Sequence, residues 1–229
     1  MENRAEFLEK LSGEGIEIGA LHRPCSVPHL NVKYVDRISR ADALLQYPEL
    51  QGLNLVEPDI LDDAEKLSTI SANSLDFVIS NHVIEHMRDP IGSLLQWCRV
   101  LKPQGKLFLA IPNKNTTFDK EREITSYEHL ISDYKQVNKE EDFQHFKDFA
   151  LYVSCRTFNV KPESEAEAFA HELWEKNYSI HYHVWDYTAF CSFIDKVQKD
   201  FGEFKMDIVH KLDPSSDEFL MLLEKTELS

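Results

Sequence analysis

The feature that most constrains the fold is the repeated order of short apolar segments and helical patterns along the first half of the chain. The five strand-like segments are IEIGA (16–20), NVKYVD (31–36), LNLVEPDI (53–60), the start of LDFVISNHVIEH (75–86) and GKLFLAIP (105–112). Between the last two, Asp89-Pro90 opens a helical pattern, where proline suits the first turn. Alternation of strands and helices predicts a mostly parallel sheet with helices packed on its faces.

Two more strands are predicted at the C-terminal end. The segment VWDYTAFCSFIDKVQKDF (184–201) predicts a helix, because its apolar residues recur on one face. The segments FKMDIVHKL (204–212) and DEFLMLLEK (217–225) follow as strands, joined by a turn at DPSS (213–216). A hairpin reverses the chain, so we predict an α/β fold with a seven-stranded, mostly parallel sheet whose antiparallel last strand lies at an edge.

The pattern changes from residue 113 to about residue 180, which we predict to be a helical insertion. Charged and aromatic residues replace the apolar segments, and helical fragments recur at TSYEHLISDYKQV and SEAEAFAHELWEKN. An insertion after the fifth strand lies above the carboxyl ends of the strands, where it can cover a substrate. We therefore predict a single domain over residues 1–229, with residues 113–180 as a lid.

Composition and charge exclude several classes of protein. A formal net charge of −15 argues against binding DNA or RNA through phosphates, which requires a basic surface, and favours a small, neutral or cationic substrate. No apolar run has the length of a signal sequence or of a membrane span, so we expect a cytoplasmic protein without membrane insertion. The cysteines are spaced too widely for a zinc or redox motif, and we expect them to be reduced. They are Cys25, Cys98, Cys155 and Cys191.

A longer stretch, LDFVISNHVIEHMRDPIGSLLQWCRVLKPQGKLFLAIPN, resembles the central segment of the class I S-adenosylmethionine-dependent methyltransferases. The resemblance covers residues 13–112 and again the terminal helix and hairpin. It implies a Rossmann-like sheet, S-adenosylmethionine as cofactor and methyl transfer as activity. The matching residues are Asp76, Glu85-His86, Arg99-Val100-Leu101-Lys102-Pro103, Gln104-Gly105 and Pro112-Asn113.

In sheets of this kind ligands bind at the carboxyl ends of the strands, and the resemblance places the cofactor there. Asp36 follows the second strand, where a carboxylate can accept hydrogen bonds from both ribose hydroxyls. The resemblance places Asp59 near the adenine amino group, with Ile60 against the ring, although Asp62 and a helix-capping role remain alternatives. His82 either contacts the methionine portion or is a loop histidine. The full set of predicted cofactor-binding residues is Glu17, Gly19, Ala20, Asp36, Arg37, Asp59, Ile60, Asn81 and His82.

The first loop departs from the family pattern. The family has an acid followed by Gly-x-Gly-x-Gly, whereas this chain reads EIGALHRP (17–24) and keeps only Gly19. Leu21 must then occupy a position often given to glycine. The departure leaves two functions open: a methyltransferase that acts on a small molecule or glycan hydroxyl, or a non-catalytic protein that binds S-adenosylmethionine or S-adenosylhomocysteine. A nicotinamide oxidoreductase is disfavoured, because this loop lacks the glycines that hold a pyrophosphate.

Histidines in and after the insertion are the candidates for acid–base chemistry. A hydroxyl acceptor needs one base, and we predict His129, His181 and His183 for this role, with His82 and His86 as further candidates. Imidazoles with nearby carboxylates also suit a divalent metal, but the spacing does not require one and no metal is predicted. Substrate binding, structural hydrogen bonding and metal binding remain open for the histidines. The sequences TFDKEREITSYEHLISDY and IHYHVW also resemble a bacterial subgroup of methyltransferase-like proteins associated with glycosyltransferases and surface polysaccharides.

Overall fold

Seven strands form one sheet in the computed structural model, which describes residues 2–25, 27–135, 139–202, 205–212 and 216–226. The strand order is β3-β2-β1-β4-β5-β7-β6, and six strands are parallel while β7 runs antiparallel to them. The predicted fold class and the antiparallel last strand are confirmed. The strands are β1 (Gly13–Ile18), β2 (Leu30–Asp36), β3 (Ile60–Leu61), β4 (Leu75–Asn81), β5 (Leu101–Pro112), β6 (Met206–Leu212) and β7 (Glu218–Lys225).

The last strand is not at the edge of the sheet, which corrects the prediction. β7 pairs with β5 on one side and with β6 on the other, so β6 forms the edge. The physical reason is the apolar run Phe219–Leu223, which is at most 1% exposed throughout and therefore suits an interior position. In β6, exposed Asp207 and Val209 flank the half-buried Ile208, a pattern that fits an edge strand.

The third predicted strand, 53–60, is also corrected. Only Ile60 and Leu61 pair with β2, and residues 53–59 before them are not strand. Leu55 is buried against Ala43 and Leu50 in a small separate cluster. The apolar residues of this segment thus belong to a loop that packs beside the sheet.

Among the described residues, seven α-helices cover the sheet or form the segment between β5 and the last helix. On one face α3 and α7 build the main core, and on the other α1 packs through Phe7 and Leu8. The helices are α1 (Glu2–Leu8), α2 (Arg40–Gln46), α3 (Pro90–Val100), α4 (Tyr127–Tyr134), α5 (Lys139–Asp148), α6 (Ala166–Glu175) and α7 (Tyr187–Asp200). Helix α5 continues as a π-helical segment, Phe149–Thr157, and short 3₁₀ turns lie at Pro48–Leu50, Ile84–His86 and Glu163–Glu165.

Parts of two predictions lie outside the described residues: the turn at 213–216, except for Ser216, and the start of the sixth strand at residue 204. Helices α2 and α5 were not predicted. Within the described part of the chain, none of the helices has the length and apolar character needed to cross a membrane. The four cysteines form no disulfide.

The strand order reverses between β1 and β4, which defines where a ligand can bind. From β1 the chain proceeds to β2 and β3 on one side, and then returns to β4 and β5 on the other. The loops that leave β1 and β4 diverge at this point, and a crevice opens at their carboxyl ends. The segment between β5 and α7 reaches the same end of the sheet, because the Tyr182 and His183 N–H groups donate to the carbonyl of Glu85, which follows β4.

Candidate functional site

A cleft of about 810 Å³ opens at the carboxyl ends of β1, β2, β3 and β4. Its volume falls in the range of small-molecule sites, which is roughly 300–1,000 Å³. One wall carries the strand ends, and the other carries residues 177–182, which precede α7. The lining residues used below are Gly19, Leu21, Asp36, Arg37, Leu61, Asp62, Asp63, His82, His86, Arg88, Tyr178 and Tyr182.

The loop after β1 has left-handed backbone conformations at two positions, although it has fewer glycines than the family pattern. Gly19 has φ of +65°, and a Cβ there would lie 3.2 Å from a methyl group of Val83. Leu21 has φ of +46°, a left-handed conformation that is costly for a residue with a Cβ. Both residues line the cleft, whereas Ala20 lines a smaller pocket beside Tyr34. The loop therefore brings backbone close to the cleft at Gly19, as a bound cofactor would require.

Glu17 organises this loop from inside the protein. Its buried carboxylate accepts a hydrogen bond from the backbone N–H of Cys25 at 2.7 Å and another from Asn81 Nδ2 at 2.9 Å. Burial raises the pKa of Glu17, while these two hydrogen bonds oppose the rise. Glu17 and Asn81 thus connect the ends of β1 and β4, and neither lines the cleft.

Asp36 and Arg37 line the cleft at the end of β2. Asp36 Oδ1 accepts hydrogen bonds from the N–H groups of Arg37 at 2.7 Å and Ile38 at 3.4 Å, while Oδ2 has no such partner among the described residues. Burial raises the pKa of Asp36, against the effect of these bonds. The Arg37 guanidinium donates to Gln46 and to the Tyr47 hydroxyl. The carboxylate is thereby held with one oxygen available to a ligand.

Of the acids around β3, one makes a structural hydrogen bond outside the cleft and two line the cleft. Asp59 precedes the strand, and its carboxylate accepts a hydrogen bond from the Tyr34 N–H at 2.8 Å. Asp59 and Ile60 are not among the lining residues, whereas Leu61, Asp62 and Asp63 are. Hydrogen bonds from Thr69 and Ser68 outweigh the effect of burial and lower the pKa of Asp62. An ionised carboxylate therefore lies at the carboxyl end of β3.

His82 follows β4 with φ of +53° and lines the cleft. Its Nε2 lies 2.6 Å from Glu218 Oε2, and the same carboxylate pairs with Arg4. These two partners outweigh the effect of burial and lower the pKa of Glu218 to about 2. The sequence analysis missed Arg4 and Glu218, because they come from opposite ends of the chain.

A group of acids and histidines lies behind the cleft wall at His86; we call Glu85, His86, Asp119 and His181 the acid–base cluster. His181 Nδ1 lies 2.6 Å from Asp119 Oδ2, and its Nε2 lies 3.9 Å from Glu85 Oε1. The rings of His86 and His181 meet edge to face, with centroids 4.7 Å apart. Arg122 donates to the other oxygen of Asp119 at 2.9 Å. Asp119 therefore holds the proton of His181 on Nδ1 and leaves Nε2 able to accept one.

Burial separates the protonation states within the acid–base cluster. It raises the pKa of Glu85 well above its ordinary value, and neither carboxyl oxygen of Glu85 has a hydrogen-bond partner in the described residues. Burial also lowers the pKa of His86 to about 3, and His181 adds to that effect. For Asp119 the bonds and charges of His181 and Arg122 outweigh burial, so its pKa is lowered. At neutral pH, Asp119 is the ionised carboxylate beside His181.

The three predicted catalytic histidines do not share one site. His181 belongs to the acid–base cluster, whereas His129 and His183 lie with Asp133 and His145 in a second cluster. The segment 180–186 is pinned by hydrogen bonds from the Tyr182 and His183 N–H groups to the Glu85 carbonyl, and it is not a strand. Neighbouring histidines of this segment can therefore reach different clusters.

Comparisons with known proteins agree with this geometry. Residues 12–109 match the family described as "Methyltransferase domain". A search of curated proteins finds no match. The solved structures named below show likeness in fold alone, since each is less than 25% identical to this chain. A Bacillus halodurans protein described as a candidate methyltransferase is 12% identical, with a TM-score of 0.53 and coverage of 99% of this chain and 100% of that one.

Two further structures have the same fold. The PH0226 protein from Pyrococcus horikoshii is 17% identical, with a TM-score of 0.52 and coverage of 98% and 91%. A Rhodobacter sphaeroides protein described as a candidate zinc-dependent alcohol dehydrogenase is 15% identical, with a TM-score of 0.58 and coverage of 99% and 90%. Residues 12–109 thus match a methyltransferase domain on a Rossmann-like sheet, and this match supports S-adenosylmethionine as the cofactor.

Proposed function

We propose that this protein transfers the methyl group of S-adenosylmethionine to a hydroxyl of a small molecule or glycan. The observation that carries the proposal is that two different kinds of polar group line one cleft. Asp36 lies at one part of its wall, and His86, the member of the acid–base cluster that lines the cleft, lies at another. The first suits a ribose and the second suits a hydroxyl that must lose a proton.

The residues present fit the cofactor. The cleft of about 810 Å³ has room for a nucleoside and an amino acid together. Asp36 Oδ2 is available for the ribose hydroxyls, and Gly19 lets the backbone approach where a side chain would meet Val83. At β3 we propose Leu61 against the adenine ring and Asp62 or Asp63 near its amino group, in place of Ile60 and Asp59. Glu17 and Asn81 support the loop without touching the ligand.

When bound, the cofactor supplies a methyl group activated by its positive sulfonium. The protein then has to align the acceptor, exclude water and take one proton. We assign the proton to His181 Nε2, because Asp119 accepts the hydrogen bond from Nδ1 and stabilises the imidazolium that forms. S-adenosylmethionine held at Asp36 and Gly19 would supply the methyl group, and His181 would take the proton that the acceptor hydroxyl gives up. His129 and His183 are not needed for this step.

The cleft wall opposite the strands supports a hydroxyl-rich acceptor. Tyr178 and Tyr182 present aromatic surface there, beside the polar groups of Glu49, Ser179 and Arg88. Aromatic rings with adjacent hydrogen-bonding groups suit the faces and hydroxyls of a sugar. The resemblance of residues 117–134 and 180–185 to a subgroup associated with surface polysaccharides supports the same acceptor class, and the net charge of −15 disfavours a nucleic acid.

Isothermal titration with S-adenosylmethionine and with S-adenosylhomocysteine tests the cofactor half. We expect binding that Asp36→Ala weakens roughly 10- to 150-fold, because hydrogen bonds to a charged group contribute about 1.5–3 kcal/mol. Glu57→Ala, which changes an exposed acid outside the cleft, is the matched control. Absence of binding to either ligand by the wild type would overturn the proposal.

A screen of sugars and small hydroxylated acceptors tests the catalytic half, with S-adenosylhomocysteine formation as readout. His181→Gln should abolish transfer to any acceptor that is found and leave cofactor binding intact. Cofactor binding with no transfer to any hydroxyl acceptor would instead support the non-catalytic alternative. Transfer that persists in His181→Gln would remove His181 from the mechanism.

A further inference from the structure

We propose that His129, Asp133, His145 and His183 bind one divalent transition-metal ion, with Zn²⁺ as the best fit, and that this ion fastens α4 and α5 to the segment 180–186. The proposal does not depend on the methyltransferase activity. The four residues are called the His₃Asp cluster below. They come from three separate segments of the chain: two from α4, one from α5 and one from the segment before α7.

The distances between the ligand atoms match a tetrahedral ion. His129 Nε2 lies 3.3 Å from His145 Nε2 and 3.3 Å from Asp133 Oδ2. His145 Nε2 lies 3.7 Å from Asp133 Oδ1, and His183 Nε2 lies 3.7 Å from Asp133 Oδ2. A tetrahedral zinc ion about 2.0–2.1 Å from its ligands places them about 3.3 Å from one another. The four separations are near this value, and one ring nitrogen of each histidine lies within 4.8 Å of those of the other two.

The hydrogen bonds around His145 prepare it as a ligand. His145 Nδ1 lies 3.1 Å from the Tyr182 carbonyl, which accepts only from an N–H, so neutral His145 carries its lone pair on Nε2. That nitrogen is the one directed at His129 and Asp133. A metal-bound histidine commonly donates its other ring N–H to a backbone carbonyl, which fixes the tautomer and the ring orientation.

Asp133 and His183 carry buried atoms that a cation would satisfy. The Asp133 side chain is 3% exposed, yet its Oδ2 accepts no hydrogen bond from the described residues. His183 is completely buried; its Nε2 lies 3.2 Å from the Arg88 carbonyl, and its Nδ1 has no hydrogen-bond partner in the described residues. Buried polar atoms are normally paired, and a buried carboxylate oxygen surrounded by imidazoles is suited to a positive ion.

The local structure brings the ligands together. In α4, Ser126 caps the helix by accepting from the His129 N–H, and His129 and Asp133 are one turn apart on the same face. Helix α5 presents His145, and the segment 180–186 presents His183. Four protein ligands leave no open coordination position, which is the arrangement of a structural zinc site.

The acid–base cluster is a weaker candidate for the ion. Glu85, His86 and His181 also place three ligand atoms close together. In that group, however, the carboxylate that pairs with His181 is Asp119, which Arg122 already neutralises. Burial also favours the neutral form of Glu85, which is a poor ligand. In the His₃Asp cluster the Asp133 carboxylate lies 3.3–3.7 Å from a ring nitrogen of each of the three histidines.

Metal analysis of the purified full-length chain is the test. The protein is stripped with a chelator and titrated with Zn²⁺ against a chromophoric zinc indicator. We expect about one equivalent of tightly bound Zn²⁺, weakened roughly tenfold or more in His129→Ala and in Asp133→Asn. His129 is the most exposed ligand, with a side chain 37% exposed, so its removal is the mildest change to the fold. His171→Ala, which removes an exposed histidine of α6, is the matched control and should bind like the wild type.

Cobalt provides a second readout that needs no variant. Co²⁺ added to the stripped wild type should give the intense visible absorption of a tetrahedral site, and Zn²⁺ should abolish it. A weak octahedral spectrum, or Zn²⁺ binding no tighter in the wild type than in His129→Ala, would overturn the proposal. Chelation should also lower the melting temperature of the wild type and of His171→Ala, and leave that of His129→Ala unchanged.

Discussion

Arg122 should contribute strongly to stability, although its charged neighbours in the sequence suggest an exposed residue. It is 6% exposed and donates to the Asp119 carboxylate at 2.9 Å, to the His181 carbonyl at 2.9 Å and to the Tyr182 carbonyl at 3.2 Å. In Arg122→Gln the buried Asp119 loses its cationic partner, and the two carbonyls lose their donor. Removing one member of a buried ion pair costs about 3–5 kcal/mol.

Chemical denaturation at neutral pH measures this loss as a change in the free energy of unfolding. In a chain of this size 1 kcal/mol corresponds to about 2–4 °C, so the melting temperature should fall by roughly 6–20 °C. The matched control is Arg156→Gln. Arg156 lies in the same part of the chain, but its pair with Glu163 has side chains 37% and 58% exposed, and exposed pairs contribute about 0–1 kcal/mol.

The double variant Asp119→Asn/Arg122→Gln examines the cause. If an unpaired buried carboxylate is responsible, then neutralising it should recover part of the loss, and the double variant should be more stable than the two single losses predict together. The reasoning is refuted if Arg122→Gln destabilises the protein no more than Arg156→Gln. A result of that kind would mean that water or rearrangement compensates the pair.

Two further changes test the buried acid and the sheet. At pH values between its ordinary and its raised pKa, Glu85 is protonated to a greater extent in the folded chain than in the unfolded one. The free energy of unfolding therefore decreases as the pH rises, by up to about 1 kcal/mol for each pH unit. Glu85→Gln should therefore gain stability relative to the wild type between pH 5.5 and 8 in urea titrations, and an equal difference at both pH values would contradict this. Gly15→Ala would place a Cβ 2.3 Å from the Phe77 carbonyl oxygen and should cost about 2–4 kcal/mol, whereas Gly202→Ala, with open space around it, should change the midpoint little.

Much of the sheet could be predicted from the sequence, because strand and helix periods are local. Residues of β1, β2, β4 and β5 form apolar runs that end in polar groups, and the structure has strands there. The segment 53–60 misled the prediction, because its apolar residues pack in a loop cluster around Leu55. In so short a segment, a loop buried on one side and a strand buried on both faces have similar patterns of apolar residues.

The position of β7 shows what hairpin signals leave open. Two consecutive strands predict an antiparallel pair, yet either of them can join the existing sheet. The apolar run Phe219–Leu223 is buried on both faces and takes the interior position, with β6 outside it. The choice depends on which strand loses more exposed apolar surface, and that comparison requires the neighbouring helices.

The sequence by itself determined the alternation of elements, the strand-end acids such as Asp36 and the glycine position at Gly19, since each depends on residues near it in the chain. It also determined that histidines and carboxylates concentrate in the segment after the fifth strand. Only the tertiary structure decided their partners: His181 with Asp119, and His183 with His129, Asp133 and His145. Those contacts join segments far apart in sequence, and long-range packing of helices over the sheet, rather than any local period, brings their side chains together.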